Sequence, residues 1–284
     1  MSHSADIFVA IQRILPKHAL SRLVGKLAES KRTWLKNFLI NRAISVFAIN
    51  MEEAASADLN DYDNFNAFFT RALRTDARPI DNDDNIICCP ADGVISQAGI
   101  INRQLILQAK GIDYSASRLL GNSSSAQKFQ DGFFATIYLS PKDYHRVHMP
   151  TAGKLRTTRY IPGELFSVND KTAQGLDGLF ARNERLVCEF DSESVGDFAV
   201  IFVGAMLVAG IETVWGGYEK PGPGAVRECD FSDQELAYAK GEEIGQFRFG
   251  STVIVLFGEN KVSGLEHLSP KAPVIMGEKL ALLN

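Results

Sequence analysis

Little in this 284-residue chain points to a covalent or metal-built scaffold. It holds four cysteines, Cys88, Cys89, Cys188 and Cys229, none in C-x-x-C spacing. Neither a disulfide framework nor a thiolate zinc site is therefore indicated, and a reducing, cytosolic compartment is the simplest reading. Long apolar runs are missing too. The most apolar stretch, Phe198 to Ile211, has 14 residues, against about 20 for a helix that spans a bilayer. It contains Gly204, Gly210 and many β-branched residues, so two buried strands are expected there. The N-terminus lacks a basic segment followed by an apolar core and a small-residue cleavage site, so no secretory signal is expected. There is no G-x-S-x-G elbow, which argues against an α/β-hydrolase, and no nucleic-acid-binding motif. What remains is 45% hydrophobic and 10% aromatic, enough for a sizeable core and too much for a disordered, coiled-coil or collagen-like chain. The length suits one large domain, or one domain with a smaller appendage.

The formal net charge of −4 hides an asymmetry. Residues 1–50 carry eight Lys/Arg against two acids, a net of +6, while the other 234 residues carry 22 against 32, a net of −10. Such a split suggests an arm that meets a polyanion, either nucleic acid or an anionic membrane. The arm reads as helical. Ile7, Ile11, Ile14 and Leu15 share one face, Pro16 interrupts, and Leu20, Leu23, Val24, Leu27 and Ala28 follow with Ser21 as a candidate cap. A third segment, Trp34 to Ile49, carries Trp34, Phe38, Leu39, Val46 and Phe47. Amphipathic helices with Lys/Arg opposite Trp/Phe/Leu are the pattern of interfacial membrane binding. The competing reading is a helical subdomain packed on the body with solvated lysines, and the two can coexist.

From about residue 68 short apolar runs are punctuated by glycine: Phe133–Leu139, Leu186–Phe190, Phe198–Val203, Val253–Phe257 and Val274–Met276. The expectation is an α+β fold, with a strand-rich catalytic body and an N-terminal amphipathic helical region, divided as residues 1–64 and 65–284. Residues 216–230 (GGYEKPGPGAVRECD) read as a mobile Gly/Pro-rich loop. KGEEIG (240–245) and MGEKLA (276–281) form a weak internal echo, both reading as hairpins.

Three clusters could carry chemistry. Pro90-Ala91-Asp92-Gly93 closes a short apolar run, and an Asp in that setting is ordinarily a turn residue. Tyr144-His145-Arg146-Val147-His148-Met149-Pro150 places two of the five histidines three residues apart, where imidazoles could ligate metal or move protons near neutral pH. A metal would need further ligands from scattered acids or His267, and none is expected. Lys142, Asp143 and Arg146 could bind substrate or simply be solvated. Phe249-Gly250-Ser251-Thr252 leads into an apolar β-branched strand that would hold the serine fixed. Asp, His and Ser are the parts of a nucleophilic triad, which is defined by geometry and not by order in the chain.

Together, PADG, YHRVHMP and FGST resemble the phosphatidylserine decarboxylase family in its short bacterial form. FNAFFTRALRTDARPI (65–80), QAKGIDYSASRLLG (108–121), YIPGELFSVN (160–169), LFARNERLV (179–187) and KGEEIGQFRFGSTVIVLF (240–257) extend the resemblance over most of residues 60–260. It implies a self-processing proenzyme. Ser251 would attack the Gly250 carbonyl with His148 as base and Asp92 as its orienter, giving a β chain 1–250 and an α chain 251–284. The α chain would begin with a covalent pyruvoyl group made from Ser251. That group would form a Schiff base with the serine amine of phosphatidylserine and accept electrons as CO2 leaves, the product being phosphatidylethanolamine. His145 would serve decarboxylation instead of cleavage. The resemblance also implies a heterodimer of the two chains, which could itself dimerise, peripheral on the cytoplasmic side of an anionic cell membrane; the acidic body and the missing motif argue against a nucleic-acid partner. The alternatives are a pyruvoyl-dependent decarboxylase of a soluble amino acid and a non-enzymatic membrane-surface β module.

Overall fold

The protein is described by a computed structural model, covering residues 9–10, 12–206, 210–219, 224–248 and 251–284. It has the expected α+β character, with helices concentrated at the N-terminus and a strand-rich body. The body rests on an antiparallel sheet of nine strands. Its path runs β12 (Arg227–Asp230), β7 (Gly153–Ile161), β8 (Arg185–Ser192), β9 (Gly196–Val203), β15 (Ser251–Phe257), β5 (Phe133–Leu139), β2 (Gly93–Ile100) and β17 (Pro273–Val274), with β13 (Ala237–Tyr238) also on β7. A second sheet orders β11 (Gly217–Glu219), β10 (Ile211–Thr213), β14 (Glu243–Phe247) and β6 (Arg146–His148). A third joins β1 (Ile86–Cys88), β18 (Lys279–Leu283) and β16 (Val262–Ser263), and β3 (Leu105–Ala109) pairs with β4 (Ile112–Ser115).

β15 explains its own sequence. All seven residues are buried, because the strand is paired with β9 on one side and β5 on the other and is covered on both faces. Side chains alternate across a strand. Val253, Val255 and Phe257 accordingly enter one core cluster with Val147, Met149 and Phe247, while Ile254 and Leu256 enter a second one with Phe134 and Ile201. The same alternation puts Ser251 on the face toward β6 and β14.

The two KGEEIG-like segments are not hairpins. Each is a turn feeding a strand that pairs elsewhere, β14 with β6 and β10, and β18 with β1 and β16. Their likeness has a different origin, a local twofold relation. Gly241 N–H donates to Met149 O and Met149 N–H to Glu242 O, at 2.9 and 2.8 Å; Gly277 N–H donates to Cys89 O and Cys89 N–H to Glu278 O, at 3.0 and 2.7 Å. Both glycines have positive φ, +78° and +91°, and both press on Ile80, so a side chain is excluded at either turn. Across this relation His148 N–H donates to Pro90 O and Cys88 N–H to Pro150 O, each at 2.8 Å. The PADG and HMP segments are thereby laced together. Residues 216–230 are also more regular than expected: β11 pairs with β10 and β12 with the edge of β7, and residues 220–223 lie outside the described residues.

At the N-terminus, helices Lys17–Ala28 and Thr33–Phe47 follow the predicted segments; the first segment's Ile7 and Ile11 lie outside the described residues. Ser21 is not a cap. Pro16 precedes the helix, and Ser21 lies buried within it. The faces are inverted relative to a soluble helix. Lys17, Ser21, Gly25 and Ala28 are turned inward, as are Lys36, Ile40 and Ala43, whereas Leu23, Leu27, Trp34, Phe38 and Val46 are exposed, Trp34 by 68% and Phe38 by 62%. Two of the lysines are occupied inside the protein. Lys17 Nζ meets Glu164 at 2.9 Å and the Phe166 ring at 3.8 Å, and Lys36 Nζ donates to the carbonyls of Leu59 and Tyr62 at 2.8 and 2.9 Å. Among the described residues no helix is long and apolar enough to cross a membrane.

Candidate active site

Asp92 sits between β1 and β2, held there because a Cβ on the next residue, Gly93, would collide with the Tyr138 carbonyl oxygen. Its carboxylate is buried. It accepts from Arg78 Nε at 3.0 Å, Arg78 Nη2 at 2.6 Å and the Met276 N–H at 2.9 Å. Arg78 also reaches Glu53 at 2.7 Å. Burial works to lower the Arg78 pKa, but its bonds to Asp92 and Glu53 outweigh this and hold it above the ordinary arginine value. Asp92 therefore ties residue 78 to a residue of the C-terminal 34, through a bidentate charge-assisted pair.

His148 ends β6. Its Nδ1 lies 2.9 Å from the Gly241 carbonyl oxygen. A carbonyl can only accept, so the proton sits on Nδ1 and the lone pair on Nε2, which faces the Tyr144 hydroxyl at 3.2 Å. Burial lowers the His148 pKa, opposed by the Gly241 bond and by the nearby charges of Glu243 and Asp92. The imidazole is thus neutral near pH 7. His145 follows the same pattern more strongly. Nδ1 is 2.8 Å from the Asp143 carbonyl oxygen, the ring centroid is 4.1 Å from that of Phe69, and burial pushes the pKa down to about 3. Its Nε2 is buried with no hydrogen-bond partner among the described residues.

Ser251 opens β15 with its Oγ buried and, among the described residues, likewise without a hydrogen-bond partner. Gly250, the other half of the expected cleavage site, lies outside the described residues. His145 and Ser251 are anchored to the same elements. Phe247 N–H donates to His145 O at 3.0 Å, four residues before Ser251, and Ser251 itself pairs with Leu139, six residues before His145. Buried polar atoms are nearly always bonded, so a lone-pair nitrogen and a hydroxyl left free in one region mark chemistry more than architecture.

Of the three residues expected to form a relay, Asp92 and His148 are close enough for the carboxylate charge to act on the ring, and none of the three is bonded to another in series. Among the described residues no hydrogen bond links Asp92, His148 and Ser251. The Gly241 carbonyl orients His148, and Asp92 acts on the ring through its charge. Arg146 is committed to structure by bonds to Glu243 at 2.8 Å and Thr70 O at 2.9 Å. Asp143 accepts the Ser140 N–H at 2.7 Å, and burial raises its pKa. Among the described residues, no three His, Cys, Asp or Glu side chains converge as a metal site would require.

Sequence reasoning passed over three residues here. Tyr144 lies four before His148 in the motif already singled out; Arg71 and Arg78 lie in FNAFFTRALRTDARPI, where arginines were visible but not their burial. Arg71, Arg78, Asp92, Lys142 and Tyr144 line a cavity of about 240 Å³. Next to it an apolar groove of about 400 Å³ runs between the N-terminal helices, lined by Leu27, Leu39, Val46, Phe47 and Phe65. A further cleft, of about 550 Å³, includes none of the site residues, and its Lys154 and Arg156 are already paired with Glu235 and Asp191.

Comparison with known proteins shows the family. Residues 65–282 match the family model described as phosphatidylserine decarboxylase, and residues 7–48 match one described as PSD. A phosphatidylserine decarboxylase proenzyme from Alcanivorax borkumensis is 52% identical over 283 residues, covering 99% of this chain and 97% of that protein. Proenzymes of the same name from Pseudomonas entomophila and Pseudomonas aeruginosa are 50% and 49% identical, covering 97% and 99% of this chain and equal shares of their own.

Proposed function

Because the chain belongs to the phosphatidylserine decarboxylase family, we propose that it converts phosphatidylserine to phosphatidylethanolamine at a membrane surface, after cutting itself between Gly250 and Ser251. The observation that carries this reading is the buried Ser251 Oγ at the start of the central strand, without a hydrogen-bond partner among the described residues. Ser251 Oγ bonds to the Gly250 carbonyl carbon as the Gly250–Ser251 C–N bond breaks, leaving an ester and a free Ser251 amine. His148 takes the hydroxyl proton at Nε2, exchanging the Tyr144 hydroxyl for it, and the charge of Asp92 favours the imidazolium that results. Loss of the Ser251 α-proton then expels the Gly250 carboxylate. Water replaces the amine, which leaves as ammonia, so residue 251 ends as a pyruvoyl ketone.

The site suits such a group, since a small hydroxyl with no bonds to lose is what it would replace. The ketone supplies an electrophile that amino-acid side chains lack and an acceptor for the electron pair left as CO2 departs. The rest falls to the chain's own side chains. His145, neutral and with the lone pair on Nε2 unpartnered among the described residues, can accept a proton there, and on this reading it serves decarboxylation. The exposed Trp34, Phe38 and Leu23 would seat the enzyme on the bilayer, since a diacyl lipid leaves its membrane at about 0.8 kcal/mol per exposed CH2.

Intact mass tests cleavage and cofactor together. The purified protein should give two chains, with the 34-residue one lighter by one ammonia than its hydrolytic counterpart. Ser251→Ala should stay a single chain of about 31.2 kDa and be inactive. A wild-type preparation that decarboxylates phosphatidylserine as one intact chain would overturn the self-cleavage reading.

A further inference from the structure

Among the described residues, Arg71 is the buried cation with side-chain N–H groups left without hydrogen-bond partners. The residue is 4% exposed. Nη2 donates to the Lys142 carbonyl oxygen at 3.2 Å and the guanidinium carbon lies 5.6 Å from the Phe68 ring centre, but Nε and Nη1 have no partner among the described residues. The cavity it lines contains acids, yet none is bonded to it. Glu53 and Asp92 are both taken by Arg78, and Asp143 is held by the Ser140 N–H. The charges of Asp92, Glu53 and Asp143 reach Arg71 across the cavity, but a buried guanidinium with no bonded counter-ion is still expensive, and two idle N–H groups add to that cost. Such an arrangement persists where an anion arrives from outside the chain.

The position of Arg71 says which anion. Phe65 lines the apolar groove, Phe69 meets the His145 ring at a tilt, and Arg71 lines the polar cavity, so one short segment, 65–71, runs from groove to site. A second segment does likewise: Phe47 lines the groove, and Ala48 and Asn50 line the cavity. A phospholipid has the same order of parts, acyl chain, phosphodiester, then serine. The serine carboxylate is the poorer candidate, because a cation fixed on it would stabilise the ground-state charge that must vanish as CO2 forms. A phosphodiester keeps its charge throughout and matches the planar fork of arginine.

Resting on the reading above, we propose that Arg71 binds the phosphodiester of the lipid headgroup and sets the preference for a phosphate-linked substrate. Exposed Lys142 stands at the rim of the same cavity and adds a second positive charge.

The test compares phosphatidylserine with an O-acylserine, a serine lipid joined by a carboxylic ester and lacking phosphate, both in neutral detergent micelles. Wild type should prefer phosphatidylserine. In Arg71→Gln, which should still cleave into two chains, that preference in kcat/KM should fall by at least about tenfold through KM, the size of one lost charge-assisted bond; Arg71→Lys should fall between. On wild type, glycerophosphoethanolamine should compete at least about tenfold more strongly than ethanolamine. An unchanged preference, an equal loss on both substrates, equal competition, or failure of both variants to cleave would each overturn the assignment. Wild type inactive on phosphatidylserine would instead overturn the function proposed above.

Discussion

His145 and His148 are three residues apart, and each spends its Nδ1 proton on a main-chain carbonyl, so both are buried as neutral rings. Their folded pKa values lie below the ordinary 6.5, to about 3 for His145. The neutral form is the one the fold accepts. Their contribution to stability is therefore complete above pH 6.5 and is lost as pH falls toward the folded value, at up to about 1.4 kcal/mol per pH unit for each ring. In the uncut Ser251→Ala chain, whose unfolding should be reversible, urea midpoints measured from pH 7 to 4.5 should decline along that slope, and adding His145→Gln should flatten it by about one proton; identical slopes would refute the burial account. Arg78→Met makes a second residue-scale case. It leaves the Asp92 carboxylate, whose side chain is 9% exposed, with the Met276 N–H as its remaining bond. Removing one partner of a buried pair costs about 3–5 kcal/mol, so urea unfolding should shift by that order and self-cleavage should slow.

Among the elements, the strands were legible because five apolar runs bounded by glycine leave a sheet few other options, and the N-terminal helices because their apolar residues recur at helical spacing. Facing was not legible. An apolar stripe on a helix reads as core, yet Trp34 and Phe38 point away from the body while Lys36 points in, because the Leu59 and Tyr62 carbonyls give the ammonium a buried seat. The +6 of the arm likewise overstates the charge offered to a membrane, since Lys17 and Lys36 are spent inside. The site was legible as residue types in motifs, Asp92, His145, His148 and Ser251. The orienting Gly241 carbonyl was not, since it comes from a turn 93 residues away and main-chain acceptors leave no mark in a sequence. Trp34→Ser with Phe38→Ser should weaken partitioning onto phosphatidylserine-containing vesicles by at least about tenfold, from 1.5–3 kcal/mol per lost side chain. Thermal unfolding should be unchanged. Undiminished vesicle binding would mean that this face does not meet the bilayer.

At the scale of the molecule, the last 34 residues are woven through everything else. β15 lies mid-sheet between β9 and β5, β17 extends β2, β18 pairs with β1, and Met276 holds Asp92. A cut before Ser251 should leave the two chains co-eluting on gel filtration in native buffer and parting only in denaturant. The uncut Ser251→Ala chain should regain its fluorescence and elution volume after dilution from urea, while the cut protein should not; equal recovery would count against this. One strand's place in a sheet then governs how the protein ages. A domain in one piece can lose its shape and find it again, so its abundance follows an equilibrium. Once the chain is cut as proposed, the search that threads residue 251 into the middle of the sheet would be available only before the cut. Each cut copy would then have a lifetime set by its first unfolding event, chaperones would not restore it, and the cell would maintain the activity only by fresh synthesis.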